Sequence, residues 1–275
     1  MTKKSFVEKD IGVSMNRQLS ILGLSKGCYY YKSRSEDAKR LILSHIVSIY
    51  EENPIYGYRK IHAQIMREGV SIGKDRVLKY MRILGLRSIC PIRQKKTTIA
   101  GNGFQKYPYL LNDLKIEKAN QVWAVDITYI RMSGGFVYFV AIIDWYSKYL
   151  LSYRISNSMD INFCKEALND ALKDYGRPEI FNSDQGSQFT SIDFTKVLLD
   201  NEIMISMDSK GRAIDNRIIE RFFRSLKYED IYIYEYKSMK ELKKGIDDYV
   251  NYYNNRRLHQ TLEYNTPYEV YNKAG

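Results

Sequence analysis

The chain has 275 residues, 44% of them hydrophobic and 27% charged, which is enough for one sizeable core with a smaller unit beside it. The longest apolar run, residues 136–143, is eight residues long, whereas a membrane-spanning helix needs about 20, so a membrane span is excluded. The N-terminus lacks the apolar stretch of a secretory signal. Three cysteines, odd in number and far apart, argue against a disulfide scaffold and predict a cytoplasmic protein.

Positive charge is concentrated in the first part of the chain. Residues 1–110 hold 21 Lys and Arg against 8 Asp and Glu, whereas residues 111–275 hold 22 against 24. A basic N-terminal part followed by a nearly neutral part is typical of a polyanion-binding module joined to a second domain. The alternative is that these lysines only keep the surface solvated.

The first 90 residues predict short helices joined by tight turns. Apolar residues at helical spacing indicate two short helices within 14–33 and three more over 37–53, 56–69 and 74–86. We therefore expect an N-terminal helical segment over 1–35 and a helix-turn-helix-like domain over 36–90. Arg76, Lys79 and Arg82 on the last helix are candidate DNA contacts, chiefly to phosphates.

After a linker, the hydrophobic pattern changes to that of strands. Residues 91–116 lack clear periodicity and contain prolines, glycines and basic residues, as linkers do. Three strands are predicted over 122–130, 136–144 and 148–155, followed by helices that alternate with strands over 178–184 and 203–207. The order predicts a mixed α/β sheet with helices on its faces, over residues 117–275.

Three carboxylates of the second domain are candidate metal ligands. Asp126 lies within an apolar strand, where an unpaired buried charge costs several kcal/mol. Asp184 ends another apolar strand and enters a Gly-containing loop, and Glu220 lies on the polar face of an amphipathic helix. If packing brings them together, a cation must offset their repulsion. Hard oxygen ligands without Cys or His favour Mg²⁺ or Mn²⁺.

Each carboxylate also has a plain structural interpretation. Asp126 could be a polar strand position, Asp184 a turn former, and Glu220 one half of a surface pair with Arg224. Asp144 also ends an apolar strand and is a competing candidate. Asp215 suits the first turn of its helix, where negative charge is favoured.

The surroundings of the three acids resemble the integrase catalytic core of bacterial insertion-sequence transposases and retroviral integrases. The matching segments are WAVDITYI, FNSDQGSQF and DNRIIERFFRSLKYE, with 35 residues between Asp184 and Glu220 and Lys227 seven residues further on. The tail YNNRRLHQTLEYNTPYEV and the helices upstream of the core are also similar to this family, so the resemblance extends over residues 15–270. Arg217 and Leu258 depart from the usual pattern.

The resemblance implies a ribonuclease-H-like core and a DDE-type transposase that cleaves and joins DNA strands by in-line displacement with two divalent ions. Asp126 would bridge both ions, and Asp184 and Glu220 would each bind one. The family's basic residue corresponds to Lys227, and we expect it to contact phosphate together with Arg224. Two further residues, Arg256 and Arg257, would either touch DNA or cap the C-terminal helix.

The resemblance also implies partners. Insertion-sequence ends and target DNA are the expected substrates, and holding both ends requires a dimer or larger assembly on DNA. Active transposases of this family are usually frameshift fusions, and no sustained heptad is visible here, so we expect an upstream-frame protein or fusion partner. The alternatives are a DNA-binding regulator that is inactive without that partner, and a ribonuclease-H-like nuclease without joining activity.

Overall fold

The helical and strand-like parts of the sequence form two separate units in the computed structural model, residues 1–88 and 89–275. The structure describes residues 6–7, 12–30, 34–89, 107–208 and 216–273. Most of the predicted linker therefore lies outside the described residues. Within the described ranges, no helix is both long and apolar enough to cross a bilayer.

The first unit contains the five predicted helices. They are α1 (Met15–Ile21), α2 (Lys26–Tyr30), α3 (Arg34–Glu52), α4 (Tyr58–Arg67) and α5 (Lys74–Ile83). Ile46 of α3, Ile61 and Ile65 of α4 and Val77 of α5 are fully buried, so the apolar stripes of the last three helices meet in one small core. Gly69 adopts a φ of +82° just past α4, a conformation that glycine accommodates without strain.

The second unit is built on a five-stranded sheet in the order β3-β2-β1-β4-β5. Its strands are β1 (Val122–Met132), β2 (Gly135–Asp144), β3 (Leu150–Ser156), β4 (Ile180–Ser183) and β5 (Met204–Met207). β1, β2 and β3 form an antiparallel meander, whereas β4 runs parallel to both β1 and β5. The predicted mixed sheet is confirmed.

Helices cover both faces of this sheet. They are α6 (Ile161–Tyr175), α7 (Ile192–Asp200), α8 (Arg217–Leu226), α9 (Tyr232–Tyr234), α10 (Met239–Asn255) and α11 (Pro267–Lys273). Because side chains alternate along a strand, β1 sends Trp123 and Val125 into a core shared with α6 and α7. Ala124 and Ile130 instead enter the core shared with α8 and α10. Asp126 is an even number of residues from Ala124 and Ile130, so it belongs to the sheet face that α8 and α10 cover.

Two details near the C-terminus differ from the sequence prediction. The sequence around Glu220 predicts a helix over 213–229. In the structure this helix begins at Arg217 and passes into a π-helical turn, Lys227–Ile231, before α9. Residues 213–215, including Asp215, lie outside the described residues. Helix α11 was not predicted, although its capping box is legible in the sequence. Thr266 Oγ1 accepts from Glu269 N, and a Glu269 carboxylate oxygen accepts from Thr266 N, with Pro267 at the first helical position.

Asp144, the competing candidate, is a buried structural residue. Its carboxylate accepts hydrogen bonds from Asn120 N (2.8 Å), Ser147 N (2.8 Å) and Ser147 Oγ (2.5 Å). Asp144 pairs with Trp123 across the sheet, so it lies on the face opposite that of Asp126. Burial raises the pKa of Asp144, and the hydrogen bonds from Ser147 oppose that shift. The carboxylate thus joins two loops and lies away from the other acids.

We predict that Asp144→Ala lowers the free energy of unfolding by about 3 kcal/mol or more, because it leaves buried donors unpaired. Urea unfolding followed by circular dichroism measures the change. Asp144→Asn, which keeps one acceptor oxygen, should lose less. An unchanged unfolding midpoint in the alanine variant would contradict the structural role.

Candidate active site and DNA-contacting residues

Three aspartates lie just beyond the paired part of three neighbouring parallel strands, β1, β4 and β5. Asp126 is within β1, Asp184 directly follows β4, and Asp208 directly follows β5. Asn182 of β4 is level with residue 124 of β1 and residue 206 of β5. Each aspartate follows one of these paired residues by two positions. Because side chains alternate along a strand, all three aspartates belong to the same face of the sheet. The strand register therefore gathers three carboxylates that are far apart in sequence.

Glu220 is brought to the same edge by the packing of α8. Ile219, Phe222 and Phe223 of this helix are buried against the sheet, whereas Glu220 faces solvent. The start of α8 is tied to β1 by Asn216, whose Nδ2 donates to the carbonyl oxygen of residue 125, next to Asp126 (3.3 Å). Glu220 follows Asn216 by one helical turn, which places it beside the aspartates.

The carboxylates influence one another electrostatically. The pKa of Asp126 is raised from 3.8 to about 8, first by burial and then by the negative charges of Asp184, Glu220 and Asp208, against a hydrogen bond from Ile127 N. Burial also raises the pKa of Asp184, although Gly186 N donates to its Oδ1 (2.9 Å). Ionising all of these carboxylates at once therefore costs free energy unless a positive charge compensates for them.

The donor chemistry at this edge fits a hard divalent cation. Carboxylate oxygens are the ligands that Mg²⁺ and Mn²⁺ prefer. Asn182 and Asn216 also flank the acids, each with a buried Oδ1 that accepts no hydrogen bond from the part of the chain that the structure describes. Within the described ranges, no three His, Cys, Asp or Glu side chains are placed closely enough to hold a metal ion. Binding would require the carboxylates to rotate toward one another.

Asp208 was missed by the sequence reasoning. Its Oδ1 accepts from Asn182 Nδ2 (3.0 Å), its backbone N–H donates to Ser183 O (3.0 Å), and its carbonyl accepts from Gln185 Nε2 (2.8 Å). These bonds fix the loop that carries Asp184. The sequence signal was available, because Asp208 ends the short apolar strand 203–207 as Asp184 ends the strand before it.

Lys227 lies close enough to Asp126 to experience its charge. Its Nζ donates to Thr128 Oγ1 (2.7 Å) and is 5.1 Å from the centroid of the Tyr129 ring. Burial lowers the pKa of Lys227, and the negative charge of Asp126 opposes this shift. Arg224 is exposed one turn before Lys227. Its guanidinium carbon lies 5.5 Å from the centroid of the Tyr228 ring.

The two C-terminal arginines differ in their surroundings. Arg256 is exposed, whereas Arg257 is buried and donates to both carboxylate oxygens of Glu229, at 2.7 and 2.5 Å. Burial by itself would lower the pKa of Arg257, but the Glu229 carboxylate raises it well above its ordinary value. Tyr249 also donates to Glu229 (2.9 Å). This geometry argues against a DNA contact for Arg257. It does not show the expected helix cap either: Arg257 instead connects the end of α10 to the π-helical turn through Glu229.

The basic residues of the first unit are accessible. Arg76, Lys79 and Arg82 are exposed on α5, whereas Val77 and Met81 of the same helix are buried. One face of α5 thus packs in the core and the other presents three cations to solvent. Such an array suits sequence-independent contacts to a phosphate backbone.

Known proteins are similar to both units. The integrase core domain profile matches residues 116–213, a second profile of that description matches residues 201–267, and the HTH-like domain profile matches residues 36–96. The InsK protein of insertion sequence element IS150 of Escherichia coli (strain K12) is 30% identical, over 90% of this chain and 88% of that protein. The transposase for insertion sequence element IS629 of Shigella sonnei is 32% identical, over 82% and 77%.

The fold also has a match among determined structures. A chain of the cryoEM structure of the simian T-cell lymphotropic virus intasome in complex with PP2A regulatory subunit B56 gamma has a TM-score of 0.50 and 16% identity. The match covers 76% of this chain and 70% of that chain. This likeness supports a ribonuclease-H-like fold for the second unit. The integrase core domain profile and the transposase relatives indicate a DDE-type polynucleotidyl transferase. The chain belongs to the family of insertion-sequence transposases with an integrase core domain. The predicted fold class and DNA transposase function are confirmed.

We predict that Asp126→Asn stabilises the metal-free protein by an amount that grows with pH. The folded chain keeps a proton on Asp126 up to a pH of about 8, whereas the unfolded chain releases it near the ordinary pKa of 3.8. The contribution of this group to stability therefore falls as the pH rises between these values and then levels off, and the amide removes that slope. Urea unfolding with a chelator at about pH 5 and about pH 8.5 compares the variants. An equal stability difference at both pH values would contradict the raised pKa.

Proposed function

We propose that Asp126, Asp184 and Glu220 are the catalytic carboxylates of DNA strand cleavage and strand transfer, and that they bind two divalent cations, Mg²⁺ or Mn²⁺. One observation carries the assignment: these acids share an edge of the sheet, where their charges and burial raise the pKa of Asp126 to about 8. Metal-dependent chemistry is the general mechanism of the family. A divalent ion would replace the proton that Asp126 otherwise keeps.

The proposed mechanism divides the work among these residues. Asp126 of β1, Asp184 of the loop after β4 and Glu220 of α8 would together hold the two ions. When bound, the cations would activate the attacking oxygen and stabilise the leaving oxygen. A water oxygen would first attack a phosphorus at the element's end and displace the 3′-oxygen, which leaves as a 3′-hydroxyl. That 3′-hydroxyl would then attack a phosphorus of the target DNA, and the target's own 3′-oxygen would leave as a hydroxyl. Lys227 would hold the adjacent phosphate, positioned by its hydrogen bond to Thr128.

Further cations would bind the DNA away from the reacting phosphate. We assign Arg224 and Arg256 of the core, with the exposed residues Arg76, Lys79 and Arg82 of α5, to phosphate contacts.

The domain division that goes with this proposal is a helical segment (1–35), a helix-turn-helix-like domain (36–90), a linker (91–116) and the catalytic core (117–275). DNA binding is supported by the family profiles of both domains.

The proposal extends to partners. Joining both ends of an insertion sequence to one target requires a dimer or larger assembly on the DNA. An upstream-frame protein or fusion stays a prediction of the sequence resemblance. Because the DNA of a bacterial insertion sequence lies in the cytoplasm, we propose the same compartment for this chain, in association with the nucleoid when it is bound to DNA.

We predict that Glu220→Gln reduces cleavage and joining at least about 100-fold, the effect of removing one group that stabilises a transition state. The assay incubates the chain and labelled DNA carrying its own element's ends with Mn²⁺ or Mg²⁺. Glu166→Gln is the matched control, since Glu166 is 66% exposed on α6, a helix of the other sheet face. Wild-type cleavage that persists in Glu220→Gln would overturn the assignment. Cleavage without joining by the wild type would favour a nuclease.

A further inference from the structure

Exposed aromatic side chains lie around Lys227, which is close enough to Asp126 to experience its charge. Tyr129 near the end of β1 is 45% exposed, and Phe136 at the start of β2 is 53% exposed. Their rings pack edge to face with centroids 5.5 Å apart. β1 pairs with β4 only over residues 122–124, so the Tyr129 part of β1 lies beyond the end of that pairing.

A second aromatic pair comes from the chain segment that follows α8. Tyr228 of the π turn and Tyr232 of α9 have ring centroids 5.4 Å apart, and Tyr232 is 37% exposed. Burial raises the pKa of Tyr232, and the neighbouring hydroxyls of Tyr228 and Tyr129 add to the shift. Tyr232 therefore lies near Tyr129, and the two pairs are also linked through Arg224 and Lys227, which are one helical turn apart and contact a ring of each pair.

Two cations lie on these rings. Lys227 Nζ is 5.1 Å from the Tyr129 centroid, and the Arg224 guanidinium carbon is 5.5 Å from the Tyr228 centroid. We call the four aromatic residues with these two cations the aromatic platform. Exposed aromatic area is unfavourable in water, and a contiguous patch of it marks an interaction site. Rings interleaved with cations suit a ligand that has flat π-faces and negative charge.

We propose that the aromatic platform binds unpaired nucleobases of the DNA next to the reacting phosphate. Bases within a duplex are stacked on one another and offer no free face, whereas unpaired bases stack on Tyr and Phe rings. Lys227 connects the platform to the reaction, since it contacts Tyr129 and also experiences the charge of Asp126. This inference rests on the proposed function and adds a preference for DNA ends whose terminal nucleotides are unpaired.

The test measures DNA binding by the full chain rather than its chemistry. One probe is a duplex end with a three-nucleotide single-stranded overhang that contains 2-aminopurine, and the other is the same end fully paired. We expect the overhang end to bind about tenfold more tightly, the scale of one stacked base, with quenching of 2-aminopurine fluorescence. Tyr129→Leu and Tyr232→Leu should each lose most of this preference and of the quenching, and should leave binding of the paired end unchanged.

The control variant is Tyr268→Leu, because Tyr268 is 50% exposed on α11, and it should behave as the wild type does. Thermal unfolding checks that all variants are folded. The base-stacking site would be overturned if Tyr129→Leu and Tyr232→Leu weakened binding of the overhang end and the paired end equally. It would also be overturned if both variants bound and quenched the probes as the wild type does. A change in oligomeric state on size-exclusion chromatography with DNA preference intact would instead indicate a protein-binding surface, and would also overturn it.

Glu220→Gln separates this inference from the proposed function. The variant should keep the overhang preference and the quenching while losing cleavage. Cleavage that persists in Glu220→Gln would overturn the proposed catalytic site, but the binding preference would still stand or fall on the tyrosine variants.

Discussion

The proposed active site depends on one constraint: Asp126 is buried at the end of the paired strands, and other carboxylates lie close to it. Asp126, Asp184 and Asp208 come from three adjacent strands, and α8 adds Glu220. The burial of Asp126 and the negative charges of its neighbours keep a proton on it up to a pH of about 8. A carboxyl group whose pKa is this far raised is unusual for a surface residue, but it is well suited to exchange its proton for a divalent cation.

Apolar packing around the site holds these charges together. The sheet is covered on one face by α6 and α7 and on the other by α8 and α10, with fully buried residues such as Trp123, Phe139 and Leu242. Polar anchors then fix the parts that carry the acids. Asn216 ties the start of α8 to β1, and the buried pair of Glu229 and Arg257 joins the segment after α8 to the end of α10. The helix that carries Glu220 is thereby held at both ends.

The sequence predicted most of the fold because hydrophobic periodicity is a local property. Strand alternation and the apolar stripe of α8 sufficed to place Asp126 and Glu220 on the correct elements. Proximity between residues that are distant in sequence does not follow from local patterns, although the position of Asp208 after an apolar strand was visible in the sequence. Asp208 becomes a neighbour of the acids only through the register of β4 and β5. The burial of Arg257 depends on Glu229, 28 residues away, and a count of positive charges cannot distinguish it from the exposed Arg256 beside it.

Proton release on metal binding tests the central claim most directly. Calorimetric titration of the chain with Mn²⁺ or Mg²⁺ near pH 7, in buffers of different ionisation enthalpy, counts the protons displaced. Since Asp126 is protonated below a pH of about 8, we expect release of about one proton per chain at pH 7 and markedly less near pH 9. Asp126→Asn should release almost none. Metal binding by the wild type without proton release would contradict the account of a repulsive carboxylate site that a cation neutralises.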